Sequence, residues 1–218
     1  MFHLTRLLTL FIGLLAPCAL FAQSQDYRPG NYAIDPGNSI LRVYVGRAGI
    51  LARMGHNHVI HTRELEGDIA LAASPLESTA EFSFPVNSFI VDDESEREMA
   101  GDGFESQPGD DAKAGTRNNM LGEAVLDAEN FPRIAVTATP LEINETEWTF
   151  SLTLLIQDRT VSLTIPARVR QLGQNLAIEA DFTLGHEDLG LSRFSAIGGS
   201  LRVAEEIEFR LRINAVAF

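Results

Sequence analysis

Four of the five histidines carry the most chemically suggestive pattern in the chain. His56-Asn57-His58 sets two imidazoles two residues apart, and His61 follows three residues later. On an extended segment, residues i and i+2 share a face about 7 Å apart along the strand, so His56 and His58 can converge on one metal ion. His61 then falls on the opposite face. A third ligand must come from elsewhere, and His186, next to Glu187 and Asp188, is the distant candidate. Zinc suits such nitrogen ligands. Two other roles compete with a metal. Gly55-His56-Asn57 also reads as a turn whose side chains hydrogen-bond to backbone and position a loop, and the imidazoles could contact the polar head of a ligand.

Signatures of other chemistry are missing. The sequence has no Gly-x-Ser-x-Gly elbow, no Gly-rich phosphate loop and no His-Glu-x-x-His. It calls for no cofactor, and the chain does not read as an enzyme. Cys18 is its one cysteine. It lies within an N-terminal segment in which His3 and Arg6 precede an apolar run from Leu7 to Phe21, with small residues at Ala19 and Ala22. That pattern predicts a secretory signal peptide over 1–22 and a periplasmic destination. The run is too short for a membrane span, which needs about 20 apolar residues. Leu15-Ala16-Pro17-Cys18 has the outline of a lipoprotein signal, but proline before the cysteine argues against lipid anchoring there. Removal of Cys18 would exclude disulfides, thiolate ligands and cysteine nucleophiles.

The charge balance is 17 basic against 30 acidic residues, net −13, and Lys113 is the one lysine. Such a chain repels phosphate backbones and anionic membrane surfaces, so a nucleic-acid partner is not expected. Nothing after the leader approaches a membrane-spanning helix.

The elements that would position these groups are strands. Leu41, Val43 and Val45 alternate with Arg42 and Tyr44; Phe82, Phe84 and Val86 alternate with Glu81, Ser83 and Pro85. Longer series follow at Phe150 to Ile156, Val161 to Val169, Leu176 to Leu184 and Ile207 to Ala215. Period-2 alternation puts the apolar groups on one face. Turn signals at Gln157-Asp158-Arg159, at Leu172-Gly173-Gln174-Asn175 and around Gly198-Gly199 suit consecutive hairpins. About eight half-buried strands must hide one face, and closure removes exposed edges. The expected fold is all-β, an antiparallel up-and-down barrel in one domain.

Two stretches interrupt the alternation. From Asp92 to Asp111 lie nine carboxylates with Arg97 as the sole counter-charge, which reads as a solvated surface loop. From Ala112 to Ala128, the residues Met120, Leu121, Ala124, Val125 and Ala128 recur at helical spacing. They predict one short amphipathic helix capping a barrel mouth.

Three motifs resemble the YceI-like family. Tyr32-Ala33-Ile34-Asp35-Pro36-Gly37-Asn38-Ser39 is similar to the family's opening, an aromatic followed by Ile-Asp-Pro and a serine. Arg117 with Leu121, then Phe131-Pro132-Arg133-Ile134, is similar to its helix and the aromatic-Pro-x-Ile entry into the next strand. Asp188-Leu189-Gly190-Leu191 resembles its Asp-Phe-Gly-Leu turn. The Gly-His-Asn-His segment and the long acidic loop depart from the family pattern and mark a divergent branch. The resemblance covers residues 30–218, after a mature tail at 23–29. It implies a periplasmic, lipocalin-like barrel that binds polyisoprenoids and related amphiphiles.

On that reading the protein is an exported binding or carrier protein for a polyisoprenoid, isoprenoid quinone or fatty amphiphile held inside the barrel. The candidate cavity residues are Leu41, Val43, Phe82, Phe84, Met120, Leu152, Leu154, Leu163, Ile165, Phe182 and Phe209, and His56, His58 and Arg117 are the candidate polar groups at the mouth. The alternatives are a metal-binding protein or metalloenzyme centred on His56 and His58 with His186, and a ligand-free module with a filled core whose acidic loop contacts a basic partner. A homodimer is compatible with all three.

Overall fold

The computed structural model describes residues 27–145 and 147–218. The predicted signal peptide, Cys18 and the first residues of the mature tail lie outside the described residues. Twelve strands and two helices follow in order: β1 (Gly30–Ile34), β2 (Ile40–Ala48), β3 (His58–Thr62), β4 (Glu66–Leu71), β5 (Thr79–Pro85), β6 (Ile90–Val91), α1 (Glu94–Ala100), α2 (Asp110–Leu121), β7 (Arg133–Ile143), β8 (Trp148–Ile156), β9 (Arg159–Leu172), β10 (Asn175–Gly185), β11 (Ser195–Ala196) and β12 (Leu201–Ala217).

Eight of the strands close a ring. The order β1-β4-β5-β7-β8-β9-β10-β12 returns to its start because Tyr32 to Ile34 pair with Ala217 to Ala215. All the pairings are antiparallel. The same edge of β12 that holds β1 at its end holds β2 along Arg202 to Arg212, and β3 and β6 extend from β2. This rim ribbon makes the wall taller on one side. β12 serves both because β1 and β2 follow one another along that edge, parted by the turn in which Asp35 N–H donates to the Asn214 carbonyl; farther along, the register with β2 shifts between Val203 and Ile207, where Ala204 packs against Gly46. A second irregularity lets Pro140, which cannot donate to a ladder, sit inside β7. At Gly67 the strands approach so closely that a Cβ would stand 2.0 Å from the Glu81 carbonyl oxygen.

The alternation produces the predicted faces. In β7 the inward Ile134, Val136 and Ala138 are buried between exposed Arg133 and Thr137. One end of the barrel is plugged: Tyr27 stacks edge-on against Trp148 at 5.1 Å and donates its hydroxyl to the Val169 carbonyl at 3.0 Å. The motif at the first turn is anchored there too. Asp35 accepts hydrogen bonds from Gly37 N–H and the Asn38 amide, while buried Ser39 exchanges two bonds with the Asn214 backbone. Near the other end, Gly190 takes up the left-handed conformation that ends the turn after His186, and Asp188 accepts from Gly185 N–H.

Helical structure departs from the expectation in two ways. Only Asp110–Leu121 is helical in the predicted 112–128 stretch, because Gly122 turns extended and the chain then folds back through turns that place Val125 and Leu126 against the core. The acidic stretch is not a solvated loop throughout. It contains α1, capped by Asp93, which accepts from Ser95 N–H and Glu96 N–H; Asp92, Glu96 and Arg97 within it are buried. Carboxylates go inside here because each finds a partner.

Candidate functional site: a hollow barrel with two oriented histidines

The interior is hollow. A cavity of about 320 Å³ runs down the axis, lined by the inward faces of the ring strands, by β2 and β3, and by residues of α2 and the turns that follow it. The eleven cavity candidates read from the sequence all stand on its wall. Several of them, among them Leu41, Phe82, Leu152 and Leu154, point inward yet remain only partly buried, because the space they face is empty. Among the described residues just four lining side chains are polar: His58, His186, Thr116 and Asn119. None is a carboxylate, an arginine or a lysine.

The polar groups belong to the open end. His58 begins β3, opposite Val45, which lies opposite Ile207, which lies opposite Leu184, two residues before His186. The ladder carries the two imidazoles to the same end of the wall, three strands apart and offset by two residues. Each ring is oriented by its Nδ1. In His58 it lies 2.6 Å from Asp92 Oδ2. In His186 it lies 3.0 Å from the Glu205 backbone carbonyl.

Asp92 is the hub of a larger polar assembly. Its side chain is fully buried, and its other oxygen accepts from Val59 N–H at 3.0 Å and from the Arg97 guanidinium at 2.5 Å. Burial alone would raise this carboxyl, but the hydrogen bonds from His58, Val59 and Arg97 outweigh it and hold it below the ordinary value. Arg97, also fully buried, spends its remaining donors on the carbonyls of Asn57, Phe104 and Ser106. It thereby binds the β2–β3 turn and the loop after α1 to the rim. A second cluster fixes α1 on the outer wall: Glu96 accepts from Arg42 at 2.5 Å and from Arg63 at 3.2 Å. Beside it His61, buried on the outward face, has no hydrogen-bond partner for Nδ1, and desolvation pushes its value below that of an ordinary histidine against the pull of Glu96 and Asp93.

The other sequence candidates are distributed differently. His56 does not line the cavity; its ring stands edge-on to His58 with centroids 6.4 Å apart, and its Nδ1 is 3.4 Å from Ser106 Oγ. The neighbouring Asn57 behaves as the turn reading expects, donating to Gly103 and accepting from Arg47 N–H. Among the described residues no three His, Cys, Asp or Glu side chains stand together in a way that could hold a metal ion, so His56, His58 and His186 are not one ligand set. Arg117 is not at the cavity wall. It fastens α2 to the rim through the carbonyls of Phe89 and Asn87, while Thr116 and Asn119 on the same helix face inward. Thr116, Asn119 and Asp92 were missed in the sequence. The one available signal was the Asp93-x-x-Glu96 spacing of a helix start.

The fold has relatives among solved structures. Burkholderia cenocepacia BcnA superposes with a TM-score of 0.60 at 12% identity, over 83% of this chain and 98% of its own. A polyisoprenoid binding domain from Saccharophagus degradans, described as implicated in plant cell wall breakdown, gives 0.57 at 12% identity over 88% and 100%. The Campylobacter jejuni YCEI protein gives 0.51 at 12% identity over 73% and 84%. No curated protein sequence matches. The family model described as the YceI-like domain matches residues 32–215, nearly the whole barrel, and the chain belongs to that family.

Proposed function

We propose that this protein is an exported carrier or sequestering protein for a long apolar ligand, of the polyisoprenoid, isoprenoid quinone or fatty amphiphile class, held along the barrel axis. The observation that carries this reading is the cavity of about 320 Å³ with only four polar side chains on its wall among the described residues. An elongated apolar space gains about 25 cal/mol for each Å² of apolar surface removed from water, and a few convergent polar groups suffice to orient a head. The description of the Saccharophagus degradans relative as a polyisoprenoid binding domain supports the ligand class. The basic and apolar leader at 1–22 supports a periplasmic site of action.

Purification of the full-length gene product from the periplasm, solvent extraction and mass spectrometry test the proposal. A long-chain lipid in stoichiometric amount, on protein beginning near Gln23, is the expected result. Protein recovered with Met1 intact, or repeatedly free of lipid and unable to take up polyprenols, would overturn it.

A further inference from the structure

We infer that the polar end of the cavity is built to receive a neutral hydroxyl group, an alcohol or phenol, and to reject an anionic head such as a phosphate or carboxylate. The inference rests on the carrier reading and specifies its ligand. It follows from what His58 and His186 each offer to the cavity.

The Asp92 carboxylate beside His58 Nδ1 is held ionised and already accepts from Val59 and Arg97, so it can only accept; Nδ1 of His58 must carry the proton. The Glu205 backbone carbonyl beside His186 Nδ1 is an acceptor by constitution, and that Nδ1 must also carry the proton. In the neutral form of either ring the other nitrogen, Nε2, is then a lone pair. Among the described residues neither Nε2 has a hydrogen-bond partner, although His186 is only 6% exposed and both side chains line the cavity. Each residue thus brings to the cavity wall an acceptor of fixed tautomer that no described group satisfies. Their complement is a hydrogen-bond donor on the ligand.

Charge decides which donor. An anionic head is repelled by the two imidazole lone pairs, and among the described residues no arginine or lysine lines the cavity to neutralise its charge; the buried Arg97 is committed to Asp92 and three carbonyls. An ammonium head would need a carboxylate, and among the described residues the wall has none. A hydroxyl donates one proton, carries no charge and fits. Thr116 and Asn119 can donate or accept and so tolerate either orientation of its remaining lone pairs.

The test is calorimetric titration of the mature protein at pH 8, above the ordinary histidine range, with three probes of one chain: geranylgeraniol, its methyl ether and its monophosphate. The ether keeps the chain and oxygen and loses only the donor. The alcohol should bind about tenfold or more tightly than the ether, since a buried acceptor left unpaired costs more than a bond exchanged with water. The phosphate should bind more weakly than the alcohol. In His186→Phe the gap between alcohol and ether should narrow severalfold while the ether's affinity holds, a readout that does not depend on mutating the Asp92 hub. Equal binding of alcohol and ether, or tighter binding of the phosphate, would overturn the inference and leave the carrier reading standing. Binding of none of the three would sink both.

Discussion

Arg97→Met removes the centre of the buried assembly at the rim. The guanidinium and the Asp92 carboxylate are both fully inaccessible, 2.5 Å apart, and the same side chain holds the carbonyls of Asn57, Ser106 and Phe104 at 2.8, 2.9 and 3.0 Å. Methionine fills much of the volume but supplies no donor. Asp92 keeps His58 and Val59 as partners, yet loses its only permanent counter-charge among the described residues, and three carbonyls lose the N–H groups that donate to them. Breaking a buried pair from one side costs about 3–5 kcal/mol, a large share of a total stability of about 5–15 kcal/mol. Arg97→Lys should recover only part, because one ammonium cannot span the fan of acceptors that a planar fork reaches. The double variant Asp92→Asn with Arg97→Met should be less damaged than the sum of its singles, since it leaves no charge unpaired. Urea unfolding followed by the fluorescence of Trp148, the one tryptophan, buried at the plugged end, measures all three. A loss below about 0.5 kcal/mol for Arg97→Met, or strict additivity in the double variant, would refute the claim that this pair organises the rim.

Acidification should weaken the fold in two windows. His61 has a folded value below its ordinary 6.5, and Asp92 one below its ordinary 3.8. In each case the unfolded chain binds more protons between the two values, so stability is complete above the unfolded value and is lost as pH falls towards the folded one. Urea midpoints should therefore begin to fall below about pH 6.5, and the slope just below that pH should flatten in His61→Gln; an unchanged slope would assign that window to other groups. Leu154→Asp places a carboxylate on the cavity wall and should cost several kcal/mol and abolish uptake of apolar probes, whereas Thr153→Lys, on the exposed face of the same strand, should do little in either assay. Ser39→Ala should cost about 1–3 kcal/mol, because Asn214 N–H and the Asn214 carbonyl each lose a buried partner; calorimetric unfolding checks it.

What could be read from the sequence follows from how local each signal is. Side-chain parity along a strand is a property of one segment, so Leu152, Leu154, Leu163 and Ile165 could be assigned to the interior before any pairing was known. Closure by eight strands followed from counting half-buried segments. The twelve strands observed include β6 and β11, two residues each, too short to show a period. The sharing of one β12 edge between β1 and β2 is a long-range register that no local pattern encodes. α1 escaped notice because Glu94-Ser95-Glu96-Arg97-Glu98 has the composition of a solvated segment. Arg42 and Arg63, distant in sequence, and Asp92, in the link before α1, are what allow Glu96 and Arg97 to be buried. The histidines show the same divide. Their spacing suggested that His56 and His58 act together, but His56 precedes the strand and stays outside, and His186 joins His58 at the cavity only through the ladder β3-β2-β12-β10.

Chain length against affinity tests the central claim most directly, that the barrel holds a ligand by apolar contact along its axis. Lipid-free protein would be titrated with prenyl alcohols of one to four isoprene units, all sharing one head. Each buried carbon is worth about 0.8 kcal/mol, so a five-carbon unit offers at most about 4 kcal/mol, and affinity should rise about tenfold or more with each added unit and level off once the cavity is full. Affinity independent of chain length, or absent across the series, would contradict the account.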